Sequence, residues 1–359
     1  VGIYSHVGQR YEPVDRDTLL YYKEARDGQI LEEGITEAGA FASFIAAGTA
    51  NTSHGINMIP FFMYYSMFGF QRIGDLIWAA GDMGVRGFMF GATAGRTTLA
   101  GEGLQHQDGH SHVLAMPYPH VKAYDPAFAF ELAILLQAGL QEMYVEQKRC
   151  IYYITVGNEP YAMPPAPEIS DLREQILRGL YLFKSLSAAS GARARVQLLG
   201  SGAIMGEVLK AAAVLSSELQ IDCDVWSVTS YKQLHYDLLE TERFNRMHPG
   251  QNRKAWVEQC FQDRGDALVA ASDYNHILPA AIAHAIAMPH LSLGTDGFGL
   301  SESRADLRAH FEVNQDYIVQ AALAALVRAG KLETQVVEDF IQSRGLAHDK
   351  PSPMRSHWA

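Results

Sequence analysis

The chain is poor in the features that most quickly assign a protein to a class. Only three of its 359 residues are cysteine, Cys150, Cys223 and Cys260. They are widely spaced and odd in number, so neither a disulfide framework nor a CxxC zinc pattern can be drawn, and a reducing, cytoplasmic setting is expected. No run of 18 apolar residues occurs, which argues against a membrane-spanning helix. The first residues do not read as a secretory signal. Positive charge is scarce. Lys and Arg number 29 against 40 Asp and Glu, for a formal net charge of −11. With no basic cluster to offset this, a nucleic-acid partner is not expected. The opening Val1-Gly2-Ile3-Tyr4 reads as the interior of a longer polypeptide. What is left is a globular composition, 48% hydrophobic and 19% charged, long enough for two domains.

Short apolar runs alternate with longer helical patterns. RGFMFGAT (86–93), IYYITVG (151–157), VQLLGSG (196–202), DVWSVTSY (224–231), ALVAASDY (267–274) and LSLGTDG (291–297) read as buried strands running into turns. Between them, 126–147, 170–186, 205–219 and 316–331 read as helices. Strands alternating with helices predict an α/β fold of two consecutive doubly wound domains with mainly parallel sheets. The small, polar stretch SLSAASGARA (185–194) predicts the division, giving domains 1–190 and 191–359. The last residues, HDKPSPMRSHWA, read as a loose tail.

The densest chemistry lies in GEGLQHQDGHSH (101–112), where Glu102, His106, His110 and His112 share twelve residues with three glycines. A metal site, a proton relay between Glu102 and His106, and a solvated turn are all open readings. The histidine spacing matches no strong zinc template, and no metal ligand is assigned. Nearby, IPFFMYYSMFGFQRIGDLIW (59–78) holds seven aromatics in twenty residues. Most of them read as core. Tyr64, Tyr65, Phe68 and Phe70 exceed what one buried strand needs, and a flat heteroaromatic ligand is a natural use for the excess. Upstream, GITEAGAFASFIAAGTA (34–50) places Ile35, Ala38, Phe41, Ala42 and Ile45 on one helix stripe, with Glu37 beside it. Turned to solvent, Glu37 is unremarkable; buried, it becomes a carboxyl able to share a proton with a ligand nitrogen.

GITEAGA, PFFMYYSMFGFQRIGDLIWAAGD, GRTTLAGEGLQHQDGHSH and LGTDGFGLSESRADLRAHFEV together, in this order, resemble the homodimeric bacterial pyruvate dehydrogenase decarboxylase component. That family belongs to the transketolase-like thiamine diphosphate superfamily. The resemblance covers only the family's middle and C-terminal domains. It implies a pyrimidine-binding domain followed by a transketolase C-terminal-like domain. By position in the family motifs, Glu37 corresponds to the carboxyl that drives tautomerisation of the cofactor's aminopyrimidine. Phe68 corresponds to the ring stacked on that pyrimidine, and Tyr65 to a polar contact beside it. Glu102 and His106 correspond to groups that handle substrate and intermediate protons. The resemblance further implies decarboxylation of pyruvate, transfer of the acetyl group to the lipoyl domain of dihydrolipoyl acetyltransferase, and a homodimer. His110 and His112 receive no role from it.

The family also holds the cofactor's diphosphate through Mg²⁺, using GDG followed about thirty residues later by asparagine. GDMG at 81–84 has no such partner, because no asparagine lies between Asn57 and Asn158; TDGFG at 295–299 has Asn314 too close. The diphosphate domain and the Mg²⁺ ligands are therefore expected outside this chain, which then contributes half of each active site. Other readings stay open: a 2-oxobutyrate-preferring enzyme, since VLAMPYPHVKAY (113–124) and NEPYAMP (158–164) depart from the pyruvate pattern; a non-catalytic dimerisation or docking piece; or a histidine-loop metalloprotein. In the C-terminal half, Asp296, Ser301, Arg304 and His310 form a polar stretch that suits either a scaffold or a partner contact.

Overall fold

A strand covered on both faces must be apolar at successive positions rather than at alternate ones. RGFMFGAT and IYYITVG meet that demand, and both become central strands of one sheet. The computed structural model describes residues 2–14 and 23–355. In chain order its first part holds β1 (Ile3–Tyr4), β2 (Glu24–Ala25), α1 (Glu37–Gly48), α2 (Ala50–His54), β3 (Phe61–Tyr64), α3 (Phe70–Asp82), β4 (Gly87–Ala92), α4 (Ser111–Ala115), β5 (Val121–Tyr124), α5 (Ala129–Leu140), β6 (Ile151–Val156) and α6 (Leu172–Arg178). Its second part holds β7 (Leu180–Leu186), β8 (Ala194–Gly200), α7 (Met205–Ser217), β9 (Ile221–Val228), α8 (Tyr231–Met247), α9 (Trp256–Phe261), β10 (Ala267–Ala271), α10 (Ile277–Ala280), β11 (His290–Leu293), α11 (Arg304–His310), α12 (Gln315–Arg328) and α13 (Thr334–Arg344).

The first sheet has the order β3-β4-β6-β5 and is wholly parallel. The second has the order β11-β10-β8-β9-β7 and is parallel except that β7 runs antiparallel to β9. Both are covered on two faces. Phe41 and Phe44 of α1 and Ile73 and Ile77 of α3 pack on Phe62, Met89 and Tyr153. On the opposite face, Leu135 of α5 and Ile176 of α6 pack on Phe88, Tyr152 and Ile154. In the second sheet, α7 and α12 cover one face and α8 and α9 the other. Each fully buried Leu, Ile or Phe contributes about 1.5–3 kcal/mol, so these four layers hold the fold.

Four expectations need correction. The helix read over 170–186 is two elements, α6 and then β7. The break is at Gly179, whose φ of +101° is left-handed and whose missing Cβ would lie 2.4 Å from the Ser230 carbonyl oxygen. That carbonyl belongs to the segment whose Thr229 and Ser230 amides donate to the Gly179 oxygen. The stretch SLSAASGARA consequently joins β7 to β8, two strands of the same sheet, and is not the link between the sheets. The apolar stripe of α1 is also narrower than its sequence implied, because the helix begins at Glu37 and leaves Ile35 fully outside it. Finally, the tail is anchored as far as it is described. Lys350 donates to the Ala309 and His310 carbonyls at the end of α11; residues 356–359 of that stretch lie outside the described residues.

Strand β3 is an open edge of the first sheet. Its side chains Phe61 and Met63 are 49% and 73% exposed. No helix among the described residues is long and apolar enough to cross a membrane.

Gly179→Ala combines a disfavoured backbone conformation with a backbone clash, and should cost about 2 kcal/mol or more. The urea midpoint followed by far-UV circular dichroism should fall; an unchanged midpoint would refute the role given to this turn.

Candidate active site

Open α/β sheets present ligands at the carboxyl ends of their strands. In the first sheet these ends lead into the aromatic turn after β3 and the long histidine turn after β4. Thr36 caps α1 by accepting from the Gly39 amide, so Glu37 occupies the first helical turn, where a negative charge is favoured. Its side chain is 18% exposed and is held by Arg72, whose Nη1 donates to both carboxylate oxygens at 3.1 Å. The expectation of a buried, unpaired carboxyl is thus replaced by a half-buried ion pair. Arg72 lies four residues beyond Phe68 and reaches over the Phe68 ring, 4.0 Å from its centroid.

Phe68 ends a short turn, Ser66–Phe68, that follows Tyr65. The Tyr65 and Phe68 rings lie 6.1 Å apart, and both face His106, at 5.5 and 5.6 Å. His106 Nδ1 is 4.0 Å from the Glu102 carboxylate, is shielded from solvent and has no hydrogen-bond partner among the described residues. All five residues singled out from the sequence, Glu37, Tyr65, Phe68, Glu102 and His106, therefore form one continuous cluster. Arg72 completes it and was missed by sequence reasoning; its i+4 spacing from Phe68 was the available signal.

The cluster borders a cleft of about 440 Å³ whose walls include Phe68, Gln71, Arg72, Arg96, His110 and Phe298. Arg72 and Arg96 give it a positive side. Arg96 is buried, bonded through Nη1 to the Gly297 carbonyl, and burial lowers its pKa against the pull of Asp108, Asp273 and Asp296. The three histidines of the turn diverge. His106 joins the aromatic cluster, His110 Nε2 meets Gln71 Oε1 at 2.7 Å, and His112 Nε2 meets Thr155 Oγ1 at 2.9 Å. Among the described residues no three His, Cys, Asp or Glu side chains gather as metal ligands would. GDMG lies at the end of α3, just before the amino end of β4, and so on the opposite side of the sheet from the cleft. Residues 113–124 and 158–164 do not line the cleft either.

The polar stretch of the second part is not one cluster. Asp296 pairs with His276, at 2.7 Å, whereas Arg304 Nε donates to the Thr98 carbonyl in the histidine turn.

Residues 1–164 match the pyruvate dehydrogenase E1 component middle domain, and residues 179–314 match the transketolase-like TK C-terminal domain. The chain is 49% identical to the pyruvate dehydrogenase E1 component of Pseudomonas aeruginosa over 99% of its own length and 40% of the relative's. The corresponding protein of Escherichia coli K12 is 46% identical over 98% of this chain and 39% of that one. The chain is similar to the middle and C-terminal parts of pyruvate dehydrogenase E1 components. It spans about two fifths of the length of these E1 relatives. Its fold is that of transketolases. The Leishmania mexicana transketolase structure superposes with a TM-score of 0.62 at 16% identity, covering 84% of this chain and 38% of that one. A split-gene transketolase described as an inactive beta4 tetramer gives 0.58 at 16% identity, covering 83% and 84%.

His112 supplies a pH test of this E1 middle domain. Burial beside Tyr153 and Tyr274 holds its imidazole down to about 4, with Asp108 opposing and Lys232 reinforcing. The unfolded chain binds this proton near pH 6.5 and the folded chain refuses it, so stability is lost as pH falls from 6.5 towards 4. Urea unfolding at pH 7 and at pH 4.5 should show the stability gap between wild type and His112→Gln shifting against wild type by about 2–3 kcal/mol. A gap independent of pH would contradict this.

Proposed function

We propose that this chain forms the pyrimidine side of a thiamine diphosphate active site in an enzyme that decarboxylates pyruvate and passes the acetyl group to a lipoyl domain. The observation that carries the reading is the unbroken contact series Glu37–Arg72–Phe68–His106–Glu102 at the strand carboxyl ends. Its donor and acceptor chemistry fits an aminopyrimidine: a carboxyl to share a proton with a ring nitrogen, an aromatic shelf to stack on, and a shielded imidazole nitrogen without a hydrogen-bond partner among the described residues. Thiamine diphosphate, when bound, supplies the carbon nucleophile and electron sink for loss of carbon dioxide from a 2-oxo acid.

The chain's own residues would divide the remaining work. Glu37 shares a proton with the pyrimidine ring nitrogen, donating to the neutral ring and accepting from the protonated one. Arg72 orients that carboxyl through its contacts with both oxygens. Phe68 and Tyr65 stack and orient. His106 holds and returns a proton at Nδ1, and Glu102, within a small side-chain movement of it, stabilises the protonated form. The cluster on this chain offers no phosphate clamp built from oxygen ligands, so the diphosphate and its Mg²⁺ are assigned to a domain outside it, brought together in a homodimer. The protein is placed in the cytoplasm, with dihydrolipoyl acetyltransferase as the acceptor of the acyl group.

In full-length enzyme, Glu37→Gln should leave the fold intact and slow pyruvate decarboxylation by about 10²-fold or more, the usual weight of a positioned proton-transfer group. Normal turnover by that variant would remove Glu37 from the mechanism. His106→Ala should lower kcat about as much while thiamine diphosphate affinity, measured by calorimetry, stays within about twofold. Loss of affinity at unchanged kcat would make His106 a binding group instead.

A further inference from the structure

The turn carrying Glu102 and His106 is held in place by residues of the other domain. Among the described residues, the hydrogen bonds tying 95–107 to the rest of the chain all end between Asp273 and Arg308. The densest set converges on one carboxylate. Asp273 Oδ1 accepts from the Thr97 amide at 2.8 Å and its hydroxyl at 2.7 Å, and Oδ2 accepts from the Thr98 amide at 3.0 Å and its hydroxyl at 2.6 Å. Asp273, Thr97 and Thr98 are all buried. The fit requires bare backbone next door: Gly95 has φ +92°, and a Cβ there would lie 2.2 Å from Asp273 Oδ2. Asp273 is fixed in turn, its carbonyl accepting from the Thr295 hydroxyl at 2.7 Å. Arg308 Nε donates to Thr97 Oγ1 at 3.3 Å, and the Gln107 side chain closes the far end of the turn between the Leu99 carbonyl and the Leu300 amide.

We propose that Asp273 is a positioning residue of the active centre, setting the placement of Glu102 and His106 through Thr97 and Thr98. Asp273 lies outside the aromatic cluster and meets the cleft wall through its backbone, the carbonyl accepting from the Arg96 amide at 3.3 Å. Its effect passes along four residues of chain to Glu102 and eight to His106. A charge-assisted grip on two amides and two hydroxyls leaves the turn one conformation, and displacement of a reacting group by about 1 Å can cost 10²-fold in rate. This inference rests on the function proposed above for its kinetic part only.

The test uses full-length enzyme carrying Thr98→Ala, Thr98→Ser or Asp273→Asn. Four measurements are compared with wild type: kcat for pyruvate, thiamine diphosphate affinity, the pH profile of kcat, and amide hydrogen exchange. Thr98→Ala should lower kcat at least tenfold, leave cofactor affinity within twofold, shift the limb of the pH profile set by His106, and speed exchange over 97–107 but not in β4 or β10. Thr98→Ser, which restores the hydroxyl, should recover kcat to within threefold. Asp273→Asn should repeat the loss, and the threonine pair decides the matter if that variant does not fold. Unchanged kcat in Thr98→Ala, a loss that serine does not repair, or a loss confined to cofactor affinity would each overturn the proposal. Wild-type enzyme inactive on every small 2-oxo acid tried would sink the proposed function instead. The exchange arm would then stand alone, and unaltered protection over 97–107 in Thr98→Ala would reject the grip itself.

Discussion

A carboxylate sealed from water costs several kcal/mol unless donors surround it, and Glu131 finds its donors only where the two sheets meet. The Ala127 and Phe128 amides at the start of α5 donate to one of its oxygens, and the Tyr181 and Ser227 hydroxyls of β7 and β9 donate to the other. Burial still raises its pKa against all four. The arrangement joins a helix of the first sheet to two strands of the second, so the sheets cannot shift relative to one another without leaving polar groups stranded. Lys232 of α8 adds a second link, donating to the Ala115 carbonyl at 2.8 Å and to that of Tyr118. The register between sheets in turn decides which residues of the second part meet the histidine turn of the first.

The parts of the fold that burial dictates were legible from composition alone. Six apolar runs became β4, β6, β8, β9, β10 and β11, because a doubly covered parallel strand writes itself as consecutive apolar residues. Five strands escaped. β1 and β2 are two residues each. β5 is short, β3 sits inside an aromatic-rich run whose surplus invited a ligand reading, and β7 continues a helical pattern across Gly179. The site was legible where a family motif names residues, and the structure brings Glu37, Tyr65, Phe68, Glu102 and His106 together. Arg72 showed only its spacing from Phe68, and Asp273 and Gln107 were not legible. Their roles depend on partners 35, 176 and 193 positions away in the chain, a separation that local spacing does not encode.

The electrostatics of the cleft differ from the simple picture of a carboxyl in an apolar pocket. Glu37 shares its charge with Arg72, and the same guanidinium lies over the Phe68 ring. One cation thereby sets both the orientation of an acceptor and the electron density of a stacking surface. In a chain with a formal net charge of −11, both arginines of the cleft stand against carboxylates, Arg72 against Glu37 and Arg96 near Asp108, Asp273 and Asp296.

The bare border at β3 has a consequence for handling the molecule. Phe61 stacks on Phe88 of the neighbouring strand yet stays half exposed, Met63 beyond it is exposed, and Ile56, Met58 and Ile59 just before them are also exposed. Such a margin is adhesive: it favours stacking of chains edge to edge over dispersal in water. Colloidal behaviour at high concentration is therefore governed by a single strand at the rim, while the thermal tolerance of the fold is governed by the four packed layers behind it.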